Sequence, residues 1–319
     1  MAVYTHVPRD ALVAFLDDYD VGALQDFRGV VQGVENTNYI VETDVGRYIL
    51  TLFEKRTDPA DLPFFVAFME HIAGAGIRAP SPIENKGGQI LQSLWGRPAI
   101  HVTFVEGRAV DIPNTEQCAS FGRTLAKMHL AAGSFDQTRD NKLSISGWRA
   151  LAEKCGEDAN TFSPGLAQLI KEELPRIEHA WPQDLARGAV HLDLYPDNVF
   201  FQGNTLSGVI DFYFSCTDFF VYDIALALNP WSGEGNFDLA RAQALLKAYE
   251  EVRPLSDAER AAIPVLMRGA AMRILLTRLY DWLNQVDGAS VNVKDPAPYA
   301  QILEVMRSPG AIDSGQLFS

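Results

Sequence analysis

Cysteine is scarce in this 319-residue chain: Cys118, Cys155 and Cys216 are all there is. The count is odd, the spacings are wide, and no Cys-x-x-Cys or Cys/His cluster occurs. A disulfide scaffold and a zinc site are therefore not expected, and reduced thiols in a cytoplasmic protein are the simple reading. Positive charge is also short. Lys and Arg number 27 against 41 Asp and Glu, a net charge of −14. Nucleic acid and anionic membrane surfaces both demand a cationic face, so neither is an expected partner. Phosphate held by backbone N–H groups and a divalent cation is not excluded, because these supply their own positive field. No apolar run is long enough to cross a bilayer, the longest lying near residues 62–69. The opening MAVYTHVPRD lacks a basic segment followed by an apolar one, so no signal peptide is expected. Internal repeats and low-complexity segments are missing too.

What remains is ordinary globular material, 47% hydrophobic and 21% charged, enough for one large domain or two tightly joined ones. Residues 24–33, 36–43 and 46–54 are rich in Val, Ile, Tyr and Phe, and short Gly-, Asn- or Asp-bearing joints separate them. They read as an antiparallel meander. A helix is expected from about Pro59 to Ala75, then strands at 89–95 and 98–107. After Gly107 the pattern turns helical. Asn114 is a plausible N-cap for the following helix, and 147–156 and 164–181 are further helical windows. A strand-rich island at 188–193, 198–203 and 205–213 interrupts it, and 217–284 reads as helix again. The composition shifts once, near 104–108. An α+β protein of two lobes is expected, residues 1–105 β-rich and 106–319 mostly helical, with a ligand cleft between them.

The island carries the chemistry: HLDLYPDN, then GVIDFY. Phosphoryl transfer needs a carboxylate beside the acceptor hydroxyl, and hard oxygen ligands that hold Mg²⁺ against nucleotide phosphates. Asp193 suits the first role. Asn198 and Asp211, near the ends of adjacent strands, suit the second. His191 ties down the loop. The spacing is His-x-Asp-x-x-x-x-Asn followed by Asp-Phe, in kinase order. Turn chemistry alone would also account for Asp193 and Asp197 around Tyr-Pro-Asp-Asn. The strand–loop–hairpin context and the preceding β lobe favour the kinase reading. In 29–43, Gly33, Asn36, Thr37 and Asn38 form a turn whose backbone N–H groups are candidates for phosphate contact. That turn fits neither the dinucleotide nor the P-loop fingerprint, and Gly and Asn also serve plain hairpins.

The strings GVENTNYIVET, GRYILTLFE, MEHIAGAGIRAPSP, FVEGR, HLDLYPDNVFF, GVIDFYFSCTDFFVYDIA and RILLTRLYDW resemble the aminoglycoside phosphotransferase and choline kinase group, most of all its homoserine kinase branch as found in Pseudomonas and related bacteria. The resemblance implies a two-lobed protein-kinase-like fold. It implies ATP-dependent phosphorylation of the L-homoserine hydroxyl to O-phospho-L-homoserine, a step in threonine biosynthesis, with ATP and Mg²⁺ as cofactors. By matching position, Asp193 is the catalytic base and Asn198 and Asp211 are the Mg²⁺ ligands. Asp223 braces the catalytic loop, and Thr103, Phe104, Val105 and Glu106 form the hinge whose backbone binds adenine. The sequence departs at the third strand, where Thr51 occupies the place of the usual phosphate-binding Lys. The helix position that would carry its Glu partner falls near Phe65. Lys55 is a possible substitute on the same strand face, although solvation accounts for it as well. An amino-acid acceptor calls for an Arg fork, and Arg273, in an apolar helix, is the candidate, with an internal salt bridge as the alternative. Arg278 is expected to pair with Asp281. Tyr195 and Trp231 are further acceptor candidates, Trp231 also fitting the core. The alternatives are the same chemistry on choline, an aminoglycoside or a sugar, a non-catalytic nucleotide-binding regulator, and a Mg²⁺-dependent phosphohydrolase.

Overall fold

A computed structural model describes residues 4–30, 36–54, 57–285, 293–308 and 311–319. The described residues divide into two compact units, between Glu106 and Gly107.

The first unit opens with helix α1 (Arg9–Leu16) and builds one sheet from β1 (Leu24–Gly29), β2 (Thr37–Thr43), β3 (Arg47–Leu52), β4 (Gln92–Leu94) and β5 (Arg97–Thr103). The strand order is β1-β2-β3-β5-β4, antiparallel at each pairing. The register pairs Asn38 with Thr51 and Tyr48 with Thr103. Val41, Leu50, Leu52 and Ala99 bury one face against Leu12, Leu16 and Tyr19. Helix α2 (Leu62–Gly74) enters through a short 3₁₀ turn with Pro59 at its start and Asp58 capping Ala60 N–H. Pro pre-sets the helical φ at a position where its missing N–H costs nothing.

The second unit holds α3 (Thr115–Ala132), α4 (Ile145–Cys155), α5 (Ala159–Phe162), α6 (Leu166–Ala180), α7 (Phe220–Trp231), α8 (Leu239–Glu250), α9 (Asp257–Leu283), α10 (Ala297–Met306) and α11 (Ser314–Leu317). Asn114 caps α3 as expected, in a reciprocal capping box with Gln117. Two small ribbons interrupt the helices: β6 (Arg187–Val190) with β9 (Cys216–Phe219), and β7 (Val199–Gln202) with β8 (Thr205–Val209). The expectation of helix from 217 onward fails at β9, where Cys216 pairs with Val190 and Thr217 with Ala189. Four residues are too few to show a period, and only the partner strand makes them extended. Helices α1 and α10 were also not anticipated.

α7 and α9 form the floor. Every residue of α7 is buried, Asp223 and Asn229 included. A helix wrapped on every side, apolar but for those two, is the interior of a large unit.

Candidate active site

Two ribbons fix the loop. β6 ends at Val190, and β7 begins at Val199, so residues 191–198 are pinned at both ends. His191 has no exposed surface. Its Nδ1 accepts from Asp193 N–H at 3.3 Å, which leaves Nε2–H to donate to Ile210 C=O at 3.0 Å. The ring thus joins the loop to the residue before Asp211. Burial drives its pKa down to about 4, so it is a neutral tie at pH 7.

From below, Asp223 of α7 accepts from His191 N–H at 3.0 Å and Leu192 N–H at 2.9 Å. His129 of α3 approaches the same carboxylate at 3.2 Å through Nε2, and its Nδ1 lies 2.7 Å from the Tyr249 hydroxyl. Arg253 donates to that hydroxyl at 3.2 Å. Burial pushes the Asp223 carboxyl up, yet the His129 hydrogen bond and its neighbours outweigh it and hold the group below its usual range. This brace holds Leu192 at φ 57°, and Asp211 is itself at φ 65°. Left-handed backbone at residues other than Gly costs free energy and persists only where the surroundings impose it. Trp231 lies under the loop, stacked on Phe121 at 3.9 Å, and its indole N–H donates to Leu194 C=O at 2.7 Å. It has no exposed surface, so it supports the loop from the core instead of lining an acceptor surface.

On the loop, Asn198 Nδ2 donates to both the carbonyl and Oδ2 of Asp193, each at 2.8 Å. The amide orientation follows from these bonds and leaves Oδ1 uncommitted among the described residues. Burial and the charge of Asp211 hold the Asp193 carboxyl far above its ordinary value. Burial and Asp197 raise Asp211 to about 6. The charge of Asp211 disfavours ionisation of Asp193, and Ile210 N–H donates to Asn198 C=O at 3.0 Å, which ties the strand ends that carry two hard oxygen donors, Asn198 Oδ1 and the Asp211 carboxylate. Among the described residues no three His, Cys, Asp or Glu side chains form a complete cage for an ion. A hard divalent cation that keeps water and phosphate oxygens as further ligands fits this donor set.

Cations come from far along the chain. Lys294 lies 3.3 Å from Asp197 and 5.1 Å from the centre of the Tyr195 ring. Its charge reaches both Asp193 and Asp211 and opposes their rise. The Tyr195 hydroxyl meets the Tyr299 hydroxyl at 2.9 Å, Tyr299 reaches Glu234 at 2.9 Å, and Arg278 pairs with Glu234 at 3.0 Å. The pairing of Arg278 with Asp281 is replaced by this one, because Glu234 comes across from the loop after α7. Arg268 pairs with buried Glu173. Arg273 differs from both neighbours. It is 2% exposed, its Nε and Nη1 have no hydrogen-bond partner, and no carboxylate lies within ion-pair distance among the described residues.

In the first unit, Thr51 Oγ1 donates to Asn38 Oδ1 at 2.6 Å, locking β2 to β3. Thr37 Oγ1 accepts from Tyr4 and Thr5 N–H and donates to Glu54 at 2.8 Å. Asn36 accepts from Glu54 N–H at 3.2 Å. These side chains therefore tie the start of β2 to β3 and Glu54 through internal bonds, Thr37 and Asn38 standing on the strand. Gly33 and Lys55 lie outside the described residues. Phe65 is buried in α2. Thr103 continues β5 opposite Tyr48. Beyond it, the backbone groups of Phe104, Val105 and Glu106 enter no hydrogen bond among the described residues, while Arg47 covers the Phe104 ring at 4.5 Å and pairs with Glu106.

The family described as APH, phosphotransferase enzyme family, matches residues 26–255. A homoserine kinase of Xanthobacter autotrophicus is 50% identical over 318 residues, 99% of this chain and 98% of the relative. One of Rhodospirillum rubrum is 50% identical over 98% of each.

The chain belongs to the homoserine kinase family.

Among solved structures it is similar to an amicoumacin kinase in complex with AMP-PNP and Ca²⁺, with a TM-score of 0.73 and 17% identity over 97% of both chains. A microcompartment-associated aminopropanol kinase gives 0.70 and 17%, over 94% of this chain and 97% of that one. The fold is thus the protein-kinase-like one, as the motifs led us to expect. Signals missed in the sequence include His129, Glu234, Lys294 and Tyr299. None sits in a motif, and each joins the loop only through the fold.

Proposed function

We propose that the protein transfers the γ-phosphoryl group of ATP to the side-chain hydroxyl of L-homoserine, giving O-phospho-L-homoserine and ADP, in threonine biosynthesis. Arg273 carries the choice of acceptor. A buried guanidinium without a protein carboxylate calls for an anion from outside, in a chain half identical to homoserine kinases. The substrate α-carboxylate supplies it through the planar fork.

Asp193 orients the hydroxyl and takes its proton as the oxygen attacks phosphorus in line. The P–O bond to ADP breaks as the new one forms. Asn198 fixes the Asp193 carboxylate through Nδ2, and its Oδ1 together with Asp211 would hold Mg²⁺. When bound, that ion neutralises charge on the phosphate oxygens and lowers the repulsion between Asp193 and Asp211. His191 and Asp223 keep the loop in its strained shape, so no reorganisation is needed during the reaction. The open backbone of Phe104, Val105 and Glu106 would receive adenine, and the start of β2 at Asn36, Thr37 and Asn38, stiffened by Thr51, would approach the phosphates. Tyr195 closes the acceptor side against Tyr299. No third-strand Lys serves this reading. Lys294 supplies positive charge beside the acids instead.

ADP release in a coupled assay with L-homoserine, L-serine, choline or no acceptor tests the reading. Homoserine should give at least about 100-fold higher kcat/KM than serine or choline. Preference for choline would move the acceptor to another class, and equal ADP release without any acceptor would make the protein a phosphohydrolase.

A further inference from the structure

Asp218 and Arg273 form an unusual pair. The Asp218 carboxylate is half-buried at the end of β9 and accepts only from neutral donors, Asn141 Nδ2 at 2.6 Å and Phe219 N–H at 2.7 Å. Each oxygen has a second lone pair left. No cation lies within ion-pair distance of it among the described residues. Arg273 is the complementary case, a buried cation with two unbonded nitrogens and no anion at contact. Burial pushes the Asp218 carboxyl up, and after its two hydrogen bonds the charges of Arg187 and, less strongly, Arg273 oppose that push. Yet Asp218 and Arg273 do not touch.

Opposite charges in a poorly hydrated setting attract strongly, and a protein that only needed to neutralise them would let them meet. Held apart, they fit a ligand with both signs. Tyr222 belongs to the same group: it has no exposed surface, its hydroxyl has no hydrogen-bond partner, and both Arg273 and Asp218 act on it. Asp218 and Tyr222 line a cavity of about 510 Å³, together with Asn141, Ser144, Trp181 and Arg187. Arg273 is not in that lining, so the cavity bears on the ammonium end alone.

We infer that Asp218, with the Tyr222 hydroxyl beside it, receives the α-ammonium group of the acceptor while Arg273 receives its α-carboxylate, so that the enzyme selects a zwitterion and not an alcohol with one charge. This rests on the reading of homoserine as acceptor. No bond is made or broken at this subsite. It contributes recognition by a charge-assisted hydrogen bond that an analogue lacking the ammonium group cannot form.

Two truncated alcohols test it. 4-Hydroxybutyrate is homoserine without its ammonium group, and 3-aminopropan-1-ol is homoserine without its carboxylate. Wild-type enzyme should favour homoserine over each by about 100-fold or more in kcat/KM. Asp218→Asn should narrow the gap to 4-hydroxybutyrate to about tenfold or less, and leave the gap to 3-aminopropan-1-ol within about threefold of its wild-type value. Arg273→Ala should do the reverse. Tyr222→Phe, a milder change, should raise KM for homoserine and leave KM for ATP unchanged. The wild-type comparison needs no variant to fold. If wild-type enzyme uses 4-hydroxybutyrate as well as homoserine, or if Asp218→Asn keeps the wild-type preference, the ammonium subsite is wrong. Failure of wild-type enzyme to phosphorylate homoserine at all is a different result and overturns the acceptor reading beneath it.

Discussion

At the scale of single residues, the loop divides its labour between groups that contact reactants and groups that hold them. Asp193→Asn keeps shape and the Asn198 contact but removes the proton acceptor. Turnover should fall by about 10³-fold while MgATP binding, read by calorimetry, stays within a few fold. Near-normal turnover would remove the base assignment. Arg273→Lys keeps the charge and loses the fork, so KM for homoserine should rise by about tenfold or more with KM for ATP unchanged. Equal effects on both constants would return Arg273 to a structural role. Asp193, Asn198 and Asp211 stood out as candidates in the sequence because they span few positions and one chemistry needs them in that order. Asp197 meets Lys294 across 97 positions, and no local spacing announces such a contact. Thr37 was read as part of the phosphate turn and Thr51 as standing at the third-strand Lys position; that their hydroxyls are committed to Glu54 and Asn38 is a matter of register that a strand pattern does not disclose.

Among the elements, α7 matters most, since it presents Asp223 to two backbone N–H groups at once. Asp223→Ala leaves those donors, and His129, buried without an acceptor. Stability should drop by about 3–5 kcal/mol in urea unfolding. Asp223→Asn should recover part of that stability but little turnover, because an amide oxygen cannot serve both N–H groups and His129 as a carboxylate does. A second contact is set by absence of a side chain. A Cβ on Gly122 of α3 would lie 2.2 Å from the Leu245 carbonyl of α8, and that backbone cannot yield. Gly122→Ala should cost about 1–3 kcal/mol and leave both KM values alone. Boundaries of long periodic helices were readable for the reason that α3 shows: cap, capping partner and apolar stripe all agree. The strand β9 was not readable, because its conformation comes from β6, whose partners lie 26 to 32 positions earlier.

For the molecule as a whole, buried imidazoles set the response to acid. His101 and His191 are both pushed down to about 4 by burial, against about 6.5 in an unfolded chain. Between those values the unfolded chain binds more protons, so stability rises with pH across the window and is lost as pH falls through it. The slope is about 1.4 kcal/mol per pH unit for each histidine. Asp211 opposes this: its folded value of about 6 exceeds the unfolded one, so in the metal-free protein it destabilises above pH 6 and is relieved as pH falls. His101 packs between Tyr19 and Tyr48 with neither ring nitrogen bonded. His101→Phe should therefore flatten the acid limb of stability against pH by one histidine's share without affecting kcat, as urea midpoints from pH 4 to 7 would reveal. An unchanged limb would mean that His101 protonates as freely when folded as when unfolded. The kinase-like plan was legible because the His-x-Asp-x-x-x-x-Asn loop and the Asp-Phe pair stand in kinase order, and the tie between Tyr195 and Tyr299 was not. That tie has a consequence for the order of events at the ribosome. Tyr299 is synthesised 104 residues after Tyr195, so a nascent chain carries its whole phosphate-transfer loop well before the hydroxyl that steadies it has emerged. Such a chain should hold a shaped but idle centre, and activity should switch on only late in translation, when α10 docks.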